Sequence, residues 1–233
     1  MCKLDLLTNR VNSMPVVAVA SPKGGSGKST SSVILGTELA YMGADVVLLD
    51  CDPNHSISIW AERSELPARI SVESDVGESE IVRTIKHRDA DGRIVIVDLE
   101  GVASRLVSRA ISQADLVLTP MRATTLDATV GVRALALVKE EEEALGRAIR
   151  HSIVFTMTRA IRSKQHIAIE TSLLGQGVDV ITPPLMERAA FSALFEFGGD
   201  LRTMPPQGNM EPAAENAAQF ARAVYQRLAG NGQ

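Results

Sequence analysis

The segment that most constrains this chain is a glycine-rich loop, SPKGGSGKST, at residues 21–30. It follows an apolar run and precedes a segment of helical character. Gly24, Gly25 and Gly27 allow the backbone to turn tightly and to approach a ligand closely. In such a loop, successive backbone N–H groups and a helix N-terminus face phosphate oxygens. The loop therefore predicts a phosphate-binding site between a strand and a helix.

Side chains of the same loop add charge and a possible metal ligand. Lys28 brings a mobile positive charge to the phosphates, and Ser29 offers a hydroxyl to Mg²⁺, which prefers oxygen ligands. The common pattern G-x-x-x-x-G-K-[ST] would place its first glycine where Pro22 stands, and a second lysine, Lys23, follows. A glycine-rich turn that only caps a helix is the alternative, but it needs neither the Lys-Ser pair nor this placement.

Short apolar runs alternate with segments of helical character, which predicts repeated strand-helix units. The predicted strands are 16–21, 45–50, 93–98, 115–120, 152–157 and 178–182, with 69–73 as a weaker candidate. The predicted helices are 29–42, 78–87, 127–145 and 163–174. Near-continuous hydrophobicity suits strands that are covered on both faces. We expect a single α/β domain with the fold of a P-loop NTPase, a doubly wound and mostly parallel sheet flanked by helices.

Composition narrows the class of protein. With 233 residues, 45% of them hydrophobic, the chain can bury one substantial core. Cys2 and Cys51 show no metal-ligand spacing, so neither a disulfide framework nor a zinc site is indicated, and a reducing cytoplasm is expected. No apolar run approaches the roughly 20 residues of a membrane span. A formal charge of −4 argues against wholesale coating of nucleic acid but allows a local basic patch.

Two further segments place aspartates at the ends of predicted strands. VVLLDCDPNHS contains Asp50 and Asp52, and RIVIVDLEG places Asp98 after four β-branched residues. A carboxylate at the end of a buried strand is costly unless it has a partner, so Asp98 is a candidate for holding a Mg²⁺-bound water. The alternative makes Asp50 and Asp52 ordinary strand-end and turn residues, since Asp-Pro is frequent in turns.

Taken together, these segments resemble the ParA/MinD superfamily of deviant Walker A ATPases, whose loop pattern is K-G-G-x-G-K-[ST]. KGGSGKST matches that pattern, Lys23 stands at the signature lysine, and the superfamily does not restrict the position of Pro22 to glycine. The resemblance runs from about Pro15 to the last helix, which implies an N-terminal extension at 1–14 and a ParA-like ATPase domain at 15–233. Fourteen residues are too few for the helix-turn-helix domain of larger ParA proteins, so a small ParA-type DNA partition ATPase is expected.

The resemblance also implies catalytic roles. The protein would dimerise around Mg-ATP, with Lys23 reaching the phosphates of the partner's nucleotide and Lys28 binding those of its own. Asp52 would assist water attack, in a D-x-D-P-N segment where the family has D-x-D-P-Q. Magnesium would lie near Ser29, Asp50 and Asp98. The residues expected to bind ATP in the loop are Lys23, Gly24, Gly25, Ser26, Gly27, Lys28, Ser29 and Thr30.

Later segments carry a weaker resemblance. FTMTR and ITPPLMERAAF are similar to family segments near the base, which makes Arg159 and Pro184 expected neighbours of adenine. The segment Leu99-Glu100-Gly101 departs from the family continuation D-T-P-P, so the roles of Glu100 and Gly101 stay open.

As partners, the resemblance implies non-specific DNA on the nucleoid and a ParB-like or other small centromere-binding protein that stimulates hydrolysis. Phosphate contacts would supply the DNA binding. The candidate contacts are Arg188, Arg202, Arg222 and Arg227, with solvated surface arginines as the alternative for each.

Three other functions stay open from the sequence. One is a relative that positions a conjugal DNA-transfer complex, and another is a metabolic member of the superfamily, for which no substrate motif is present. The third is a MinD-like membrane-associated ATPase, which would end in a basic amphipathic helix. The tail ENAAQFARAVYQRLAG instead carries small alanines and two arginines, which favours packing against the domain and no stable membrane anchor. Its apolar stripe is Ala217, Phe220, Ala221, Val224, Tyr225 and Leu228.

Overall fold

The computed structural model describes residues 14–101 and 104–230 of the chain. Seven strands are present in these ranges: β1 Val16–Val19, β2 Val46–Cys51, β3 Ile70–Glu73, β4 Ile94–Leu99, β5 Leu116–Met121, β6 Arg150–Phe155 and β7 Asp179–Ile181. They alternate with helices α1 Lys28–Tyr41, α2 Ser56–Glu62, α3 Ile81–Ala90, α4 Arg105–Gln113, α5 Thr125–Leu145, α6 Lys164–Gly175, α7 Ala189–Phe197 and α8 Glu211–Leu228. Apart from Met14, the predicted N-terminal extension lies outside the described residues.

All seven described strands join one parallel sheet in the order β3-β2-β4-β1-β5-β6-β7. The predicted fold class is therefore confirmed, and each predicted strand segment holds a strand, including the weaker one at β3. Three helices, α2, α4 and α7, were absent from the prediction. They have 7, 9 and 9 residues, so each is shorter than the window of about 11 residues over which a helical period is read from a sequence.

The sheet is covered on both faces. All six residues of β4 are buried, as are all four of β1. Because successive side chains of a strand point to opposite faces, Val17 and Val19 join the core that includes residues of α1 and α8, whereas Val16 and Ala18 join the core that includes residues of α3 and α4. This two-sided burial is the physical reason why the strands read as continuous apolar runs.

The strand order reverses at β1, which fixes where a ligand can bind. The chain reaches β4 on one side of β1 and β5 on the other, with Val19 opposite both Asp98 and Leu118. Connections that leave a parallel sheet in opposite directions open a crevice beyond the carboxyl ends of the strands. The glycine-rich loop follows β1 directly, so it lies at this crevice.

Helix α8 buries the apolar stripe that the sequence identified in the tail. Ala217, Phe220, Ala221 and Val224 are fully buried, and Leu228 is 8% exposed. They belong to the same core as residues of α1, so this face of α8 packs against the domain. Within residues 14–101 and 104–230, the structure contains no helix with the length and hydropathy of a membrane span.

A tight contact joins the ends of α2 and α7. The indole Nε1 of Trp60 donates to the carbonyl of Gly199 at 2.7 Å, and the Gly199 amide donates to Ser64 Oγ at 2.7 Å. The preceding residue, Gly198, has φ 73°, and a Cβ at this position would lie 2.2 Å from the carbonyl oxygen of Arg63. Glycine is therefore required here by both the backbone angle and the available space.

We predict that Gly198→Ala destabilises the protein by about 3 kcal/mol, because it adds a clash with backbone to a strained φ. Gly92 has φ 78° with open space around it, so Gly92→Ala carries only the strain and is a matched control, expected to cost about 1 kcal/mol. Urea unfolding followed by circular dichroism gives both values. Equal losses in the two variants would contradict the packing argument.

Candidate nucleotide-binding site

The glycine-rich loop adopts the conformation that its glycines predict. Gly25 and Gly27 have φ values of 67° and 91°, and α1 begins at Lys28. Thr156, just after β6, holds the loop from the other side, since its Oγ1 donates to the carbonyl of Ser26 at 2.7 Å. A Cβ on Gly27 would approach the Thr156 side chain to 3.3 Å. The loop is therefore clamped between β1 and the end of β6.

A cleft of about 280 Å³ opens in front of the loop, and we call it the phosphate cleft. Lys28 Nζ lies 3.9 Å from Asp52 Oδ2 at the bottom of this cleft. The other carboxylate oxygen of Asp52 accepts hydrogen bonds from the Asn54 backbone N–H at 2.9 Å and from its Nδ2 at 2.8 Å. Asn54 therefore orients Asp52. The residues that line the phosphate cleft are Gly24, Gly25, Gly27, Lys28, Ser29, Thr30, Asp52, Asn54, Ser56, Met157 and Phe195.

Asp98 joins the loop helix to the sheet. It is fully buried at the end of β4, where it accepts hydrogen bonds from Ser29 Oγ at 2.6 Å and from Ser32 Oγ at 3.1 Å. Burial raises the pKa of Asp98 to about 7. The two serine hydroxyls and Lys28 act against this rise in pKa, while the negative charge of Asp50 adds to it. The carboxyl group therefore needs a cation nearby to be fully ionised.

The donor set beside Asp98 fits Mg²⁺. Asp50 stands opposite Asp98 in the β2/β4 register. Its Oδ2 accepts from the backbone N–H and Oγ of Ser58, whereas its buried Oδ1 has no hydrogen-bond partner. With Ser29, these carboxylates would offer oxygen ligands of the kind that Mg²⁺ prefers. The described ranges contain no cluster of three His, Cys, Asp or Glu side chains that could hold a metal ion by itself.

A second cavity, of about 110 Å³, continues from the phosphate cleft, and we call it the base cavity. Both cavities are lined by Gly27, Thr30 and Met157. The hydroxyl of Ser31 is buried at its wall without a hydrogen-bond partner, and the rest of the wall is mainly apolar. An apolar cavity with a free hydroxyl suits the base and ribose of a nucleotide. Its other lining residues are Thr156, Leu185, Met186, Glu187, Arg188, Phe191 and Ser192.

The two residues predicted beside adenine do not line the base cavity, and their role stays a prediction. Arg159 lines a neighbouring cavity and not the base cavity. The carbonyl of Pro184 accepts a hydrogen bond from Asn216 Nδ2 at 2.9 Å, and Pro184 is not part of the base cavity wall. Sequence reasoning missed Met157, which follows β6 with φ 51°, a strained value for a residue with a side chain. From the segment FTMTR, the sequence predicted that the connection after β6 lies near the base. It did not show which side chain of this connection faces the glycine-rich loop, because that depends on the backbone angle at Met157.

Lys23 forms an ion pair within its own subunit. Its Nζ lies 2.5 Å from Oδ1 of Asp127, at the start of α5. Thr124 Oγ1 donates to the other carboxylate oxygen of Asp127 at 2.7 Å. Burial by itself would raise the pKa of Asp127, but the hydrogen bonds from Lys23 and Thr124 outweigh it, and the pKa is lowered. Arg122 Nη2 also donates to the loop carbonyl of Gly25 at 3.2 Å, so the first turn of the loop is tied to the β5/α5 connection.

Glu100 and Gly101 lie behind the loop. Both line an apolar cavity of about 300 Å³ between the sheet, α4 and α5, together with Pro22. A Cβ on Gly101 would lie 3.4 Å from the carbonyl oxygen of Ser21, so the chain after β4 passes close to the loop backbone. Neither residue faces the phosphate cleft.

Three of the four arginines predicted to contact DNA are engaged within the fold. Arg202 pairs with both carboxylate oxygens of Glu38, at 2.6 and 2.9 Å, and its guanidinium lies 3.9 Å from the ring centroid of Tyr41. Arg227 pairs with Asp179, and Arg188 donates to Met186 Sδ at the base cavity. Arg222 is exposed, and no hydrogen bond or ion pair links it to another described residue. These four residues therefore do not form one free basic surface.

The raised pKa of Asp98 leads to a testable pH dependence. The pKa of Asp98 is 3.8 in unfolded protein and about 7 in folded protein. Between pH 3.8 and about pH 7, folded protein therefore holds a proton on Asp98 that unfolded protein releases. Metal-free wild-type protein should therefore lose stability as pH rises through this window, and Asp98→Asn should not. We expect the variant to gain about 4 kcal/mol relative to the wild type between the two ends of the window, because a pKa difference of about 3 units corresponds to that free energy. Thermal unfolding in EDTA measures this, and a difference independent of pH would contradict it.

Comparisons with known proteins agree with this geometry. The model of the VirC1 protein family matches residues 14–213. Protein ParA of Rhizobium radiobacter is 60% identical over 217 residues, which cover 92% of this chain and 98% of the relative. Protein virC1 of Rhizobium radiobacter is 27% identical over 194 residues, covering 79% and 82% of the two chains.

A solved structure shows the same fold. A variant of Cyanothece McdA in complex with ATP superposes with a TM-score of 0.71 at 16% identity, covering 95% of this chain and 98% of that one. The family match, the close ParA relative and the shared fold all confirm the resemblance carried by the KGGSGKST loop. The chain therefore belongs to the ParA/MinD superfamily of deviant Walker A proteins, within the VirC1 family of ParA-type proteins.

Proposed function

We propose that this protein is a Mg-ATP-dependent ATPase that dimerises around its nucleotide and acts in DNA partition. One observation carries the proposal. Two loop lysines, Lys23 and Lys28, come together at the crevice beside β1 with three aspartates, which are Asp52, Asp98 and Asp127. The reversal of strand order at β1 opens this crevice to a ligand. The 60% identity to a protein named ParA supports partition as the process.

ATP would bind with its phosphates in the phosphate cleft and its base in the base cavity. Backbone N–H groups of the loop and the N-terminus of α1 would donate to the phosphates, with Lys28 adding a charge. Ser29, Asp50 and Asp98 would hold Mg²⁺, which would offset the negative charge of the phosphates and of the two carboxylates. The buried Asp50 Oδ1, which has no hydrogen-bond partner, supports this assignment.

Hydrolysis requires a group that positions the attacking water, and Asp52 is placed for that role. Its carboxylate lies in the phosphate cleft, and Asn54 fixes one of its oxygens through two hydrogen bonds. The second oxygen faces Lys28, at 3.9 Å. Phosphoryl transfer is catalysed mainly by positioning and charge stabilisation, so a fixed carboxylate beside the loop lysine is sufficient to orient water.

Dimerisation would bring Lys23 to the nucleotide of the partner subunit. In the single chain, Lys23 is paired with Asp127, while its side chain is 38% exposed. Asp127 is buried and also accepts a hydrogen bond from Thr124. The more highly charged phosphates of a second subunit would compete with this one carboxylate for the partly exposed ammonium group. Lys23 would then act in trans as an arginine finger does, by stabilising charge in the transition state.

DNA binding and a stimulating partner complete the proposed cycle. The ATP-bound dimer would bind nucleoid DNA without sequence preference in the cytoplasm, and a ParB-like or other small centromere-binding protein would stimulate hydrolysis. A dimer doubles the number of phosphate contacts, so DNA affinity should depend on ATP.

The phosphate-binding role is tested with Lys28→Ala. Removal of this charge should weaken ATP binding by about 100-fold, because charged hydrogen bonds to the phosphates are lost. Equilibrium binding of a labelled nucleotide measures the loss. Lys86→Ala removes an exposed lysine on α3 and is the matched control, expected to bind as the wild type does. Wild-type affinity in Lys28→Ala would overturn the site assignment.

The trans role of Lys23 is tested by mixing variants. Lys23→Ala alone should bind ATP as a monomer but lose the ATP-dependent dimer. In a mixed dimer with Asp52→Ala subunits, the Lys23→Ala subunit keeps its Asp52 and receives its partner's Lys23, so one complete site should return ATP hydrolysis. The expected recovery is up to about half of the wild-type rate per dimer, because one of the two sites in the mixed dimer is complete.

The control for this mixture places both substitutions in one subunit and pairs it with wild type. Each site of that heterodimer then lacks either Asp52 or the partner's Lys23, so purified heterodimers should stay inactive. An active control heterodimer together with an inactive mixed dimer would show that Lys23 acts within its own subunit. Normal ATP-dependent dimerisation of Lys23→Ala alone would contradict its role across the interface.

A further inference from the structure

A concave surface of about 350 Å³ lies beside the phosphate cleft and the base cavity. We call it the basic basin and define it by Arg122, Arg159, Arg162, Ser163 and His166, which all line it. It is formed by the β5/α5 connection on one side and by the segment between β6 and α6 on the other. Met157 lines this basin as well as both nucleotide cavities, so the two sites share a wall.

The basin has a strong positive charge. Arg122, Arg159 and Arg162 are all exposed, and no acidic residue occurs between Met157 and Ile169. Arg162 pairs with Glu170 at 2.5 Å, and Arg122 donates only to the backbone carbonyl of Gly25. Arg159 has no hydrogen bond or ion pair to any residue that the structure describes. Within the described part of the subunit, Arg159 is therefore not neutralised, whereas Glu170 pairs with Arg162 and the charge of Asp127 acts on Arg122.

Helix α6 adds to this charge. It begins at Lys164, which is exposed, and Ser163 caps it by accepting a hydrogen bond from the His166 N–H at 3.1 Å. The N-terminus of a helix of 12 residues carries partial positive charge from its free N–H groups. The helix end and the arginines thus act on the same space.

The C-terminal arginines and the cations of the basic basin differ in whether a carboxylate already binds them. Arg202 and Arg227 already bind carboxylates, so each would have to break a paired contact before it could reach a phosphate. Arg159 needs to break none, and Lys164 likewise has no partner among residues 14–101 and 104–230, whereas Arg162 would have to leave Glu170. Guanidinium groups that are exposed and unpaired form bidentate contacts with phosphate at the lowest cost.

From these observations we infer that the basic basin binds the backbone phosphates of duplex DNA. The inference rests on the proposed DNA partition function and gives it a surface. The open, arginine-rich wall favours a polyanion held through its phosphates over a small anion held in an enclosed pocket. Arg122 also donates to the carbonyl of Gly25 in the glycine-rich loop. DNA phosphates in the basin would therefore lie next to the loop that we propose binds ATP.

The test compares three charge-removal variants. Arg162→Ala/Lys164→Ala removes two charges from the basin edge without touching the phosphate cleft or the base cavity. Arg83→Ala/Lys86→Ala removes two exposed charges from α3 and is the matched control. Arg222→Ala removes the free arginine of α8. Binding of each to a labelled duplex of arbitrary sequence is measured by fluorescence anisotropy with ATP and Mg²⁺, over a range of salt concentrations.

For the basin variant we expect DNA affinity to fall by about tenfold or more at fixed salt. The slope of log affinity against log salt should become less steep by up to about 3.6, because two residues are lost from each of two subunits. ATP binding and ATP-dependent dimerisation should match the wild type. The α3 control and Arg222→Ala should stay within about twofold of wild-type DNA affinity.

The outcomes separate this inference from the function on which it rests. If wild-type protein with ATP does not bind the duplex, the DNA step of the proposed function fails, and the inference fails with it. If wild type binds and the basin variant binds equally well, or Arg222→Ala loses more affinity, only the basin assignment is overturned. A basin variant that keeps DNA affinity but loses stimulation by a partner protein would assign the basin to that partner and overturn the inference.

Discussion

The buried carboxylate of Asp98 is the constraint on which the rest of the site depends. It lies at the end of a central strand with no exposed surface, and two serine hydroxyls of α1 donate to it. These hydrogen bonds hold the first turn of α1 against the sheet, so the loop before α1 has one position relative to β4. The same desolvation that raises the pKa of Asp98 makes a nearby cation favourable. Helix placement and the proposed binding of magnesium would therefore have one physical cause.

The two lysines of the loop differ in what surrounds them. Lys28 is buried at the bottom of the phosphate cleft near Asp52, whereas Lys23 extends to the edge and pairs with Asp127 on α5. In the proposed dimer, Lys28 would therefore serve the nucleotide of its own subunit, while Lys23 would have access to that of the partner subunit. Together with the contact from Arg122 to Gly25, the Lys23 pair ties the loop to the β5/α5 connection. That connection also forms one wall of the basic basin. The β5/α5 connection therefore contacts both the glycine-rich loop and the basin.

The sequence predicted the parts of the site that depend on local order along the chain. The loop, the parallel sheet and the strand-end position of Asp98 follow from motif spacing and from apolar runs, because the carboxyl ends of parallel strands meet at one edge. The choice among surface arginines could not be predicted in this way. In the sequence, nothing near Arg202 or Arg227 indicates a partner. In the structure, Glu38 neutralises Arg202 from 164 residues away along the chain, and Asp179 neutralises Arg227 from 48 residues away. Sequence patterns do not show which distant carboxylate will fold against a given arginine.

By itself, then, the amino-acid sequence determined the fold class, the phosphate loop and the superfamily, because these depend on residues close together in the chain. Tertiary structure alone decided that Lys23 rests on Asp127, that Met157 and not Arg159 faces the nucleotide loop, and that the unpaired positive charge gathers beside α6. Each of these depends on side chains brought together from separate strands and helices. Their contacts are set by packing geometry and by competition among charges, and neither leaves a periodic signal in the sequence.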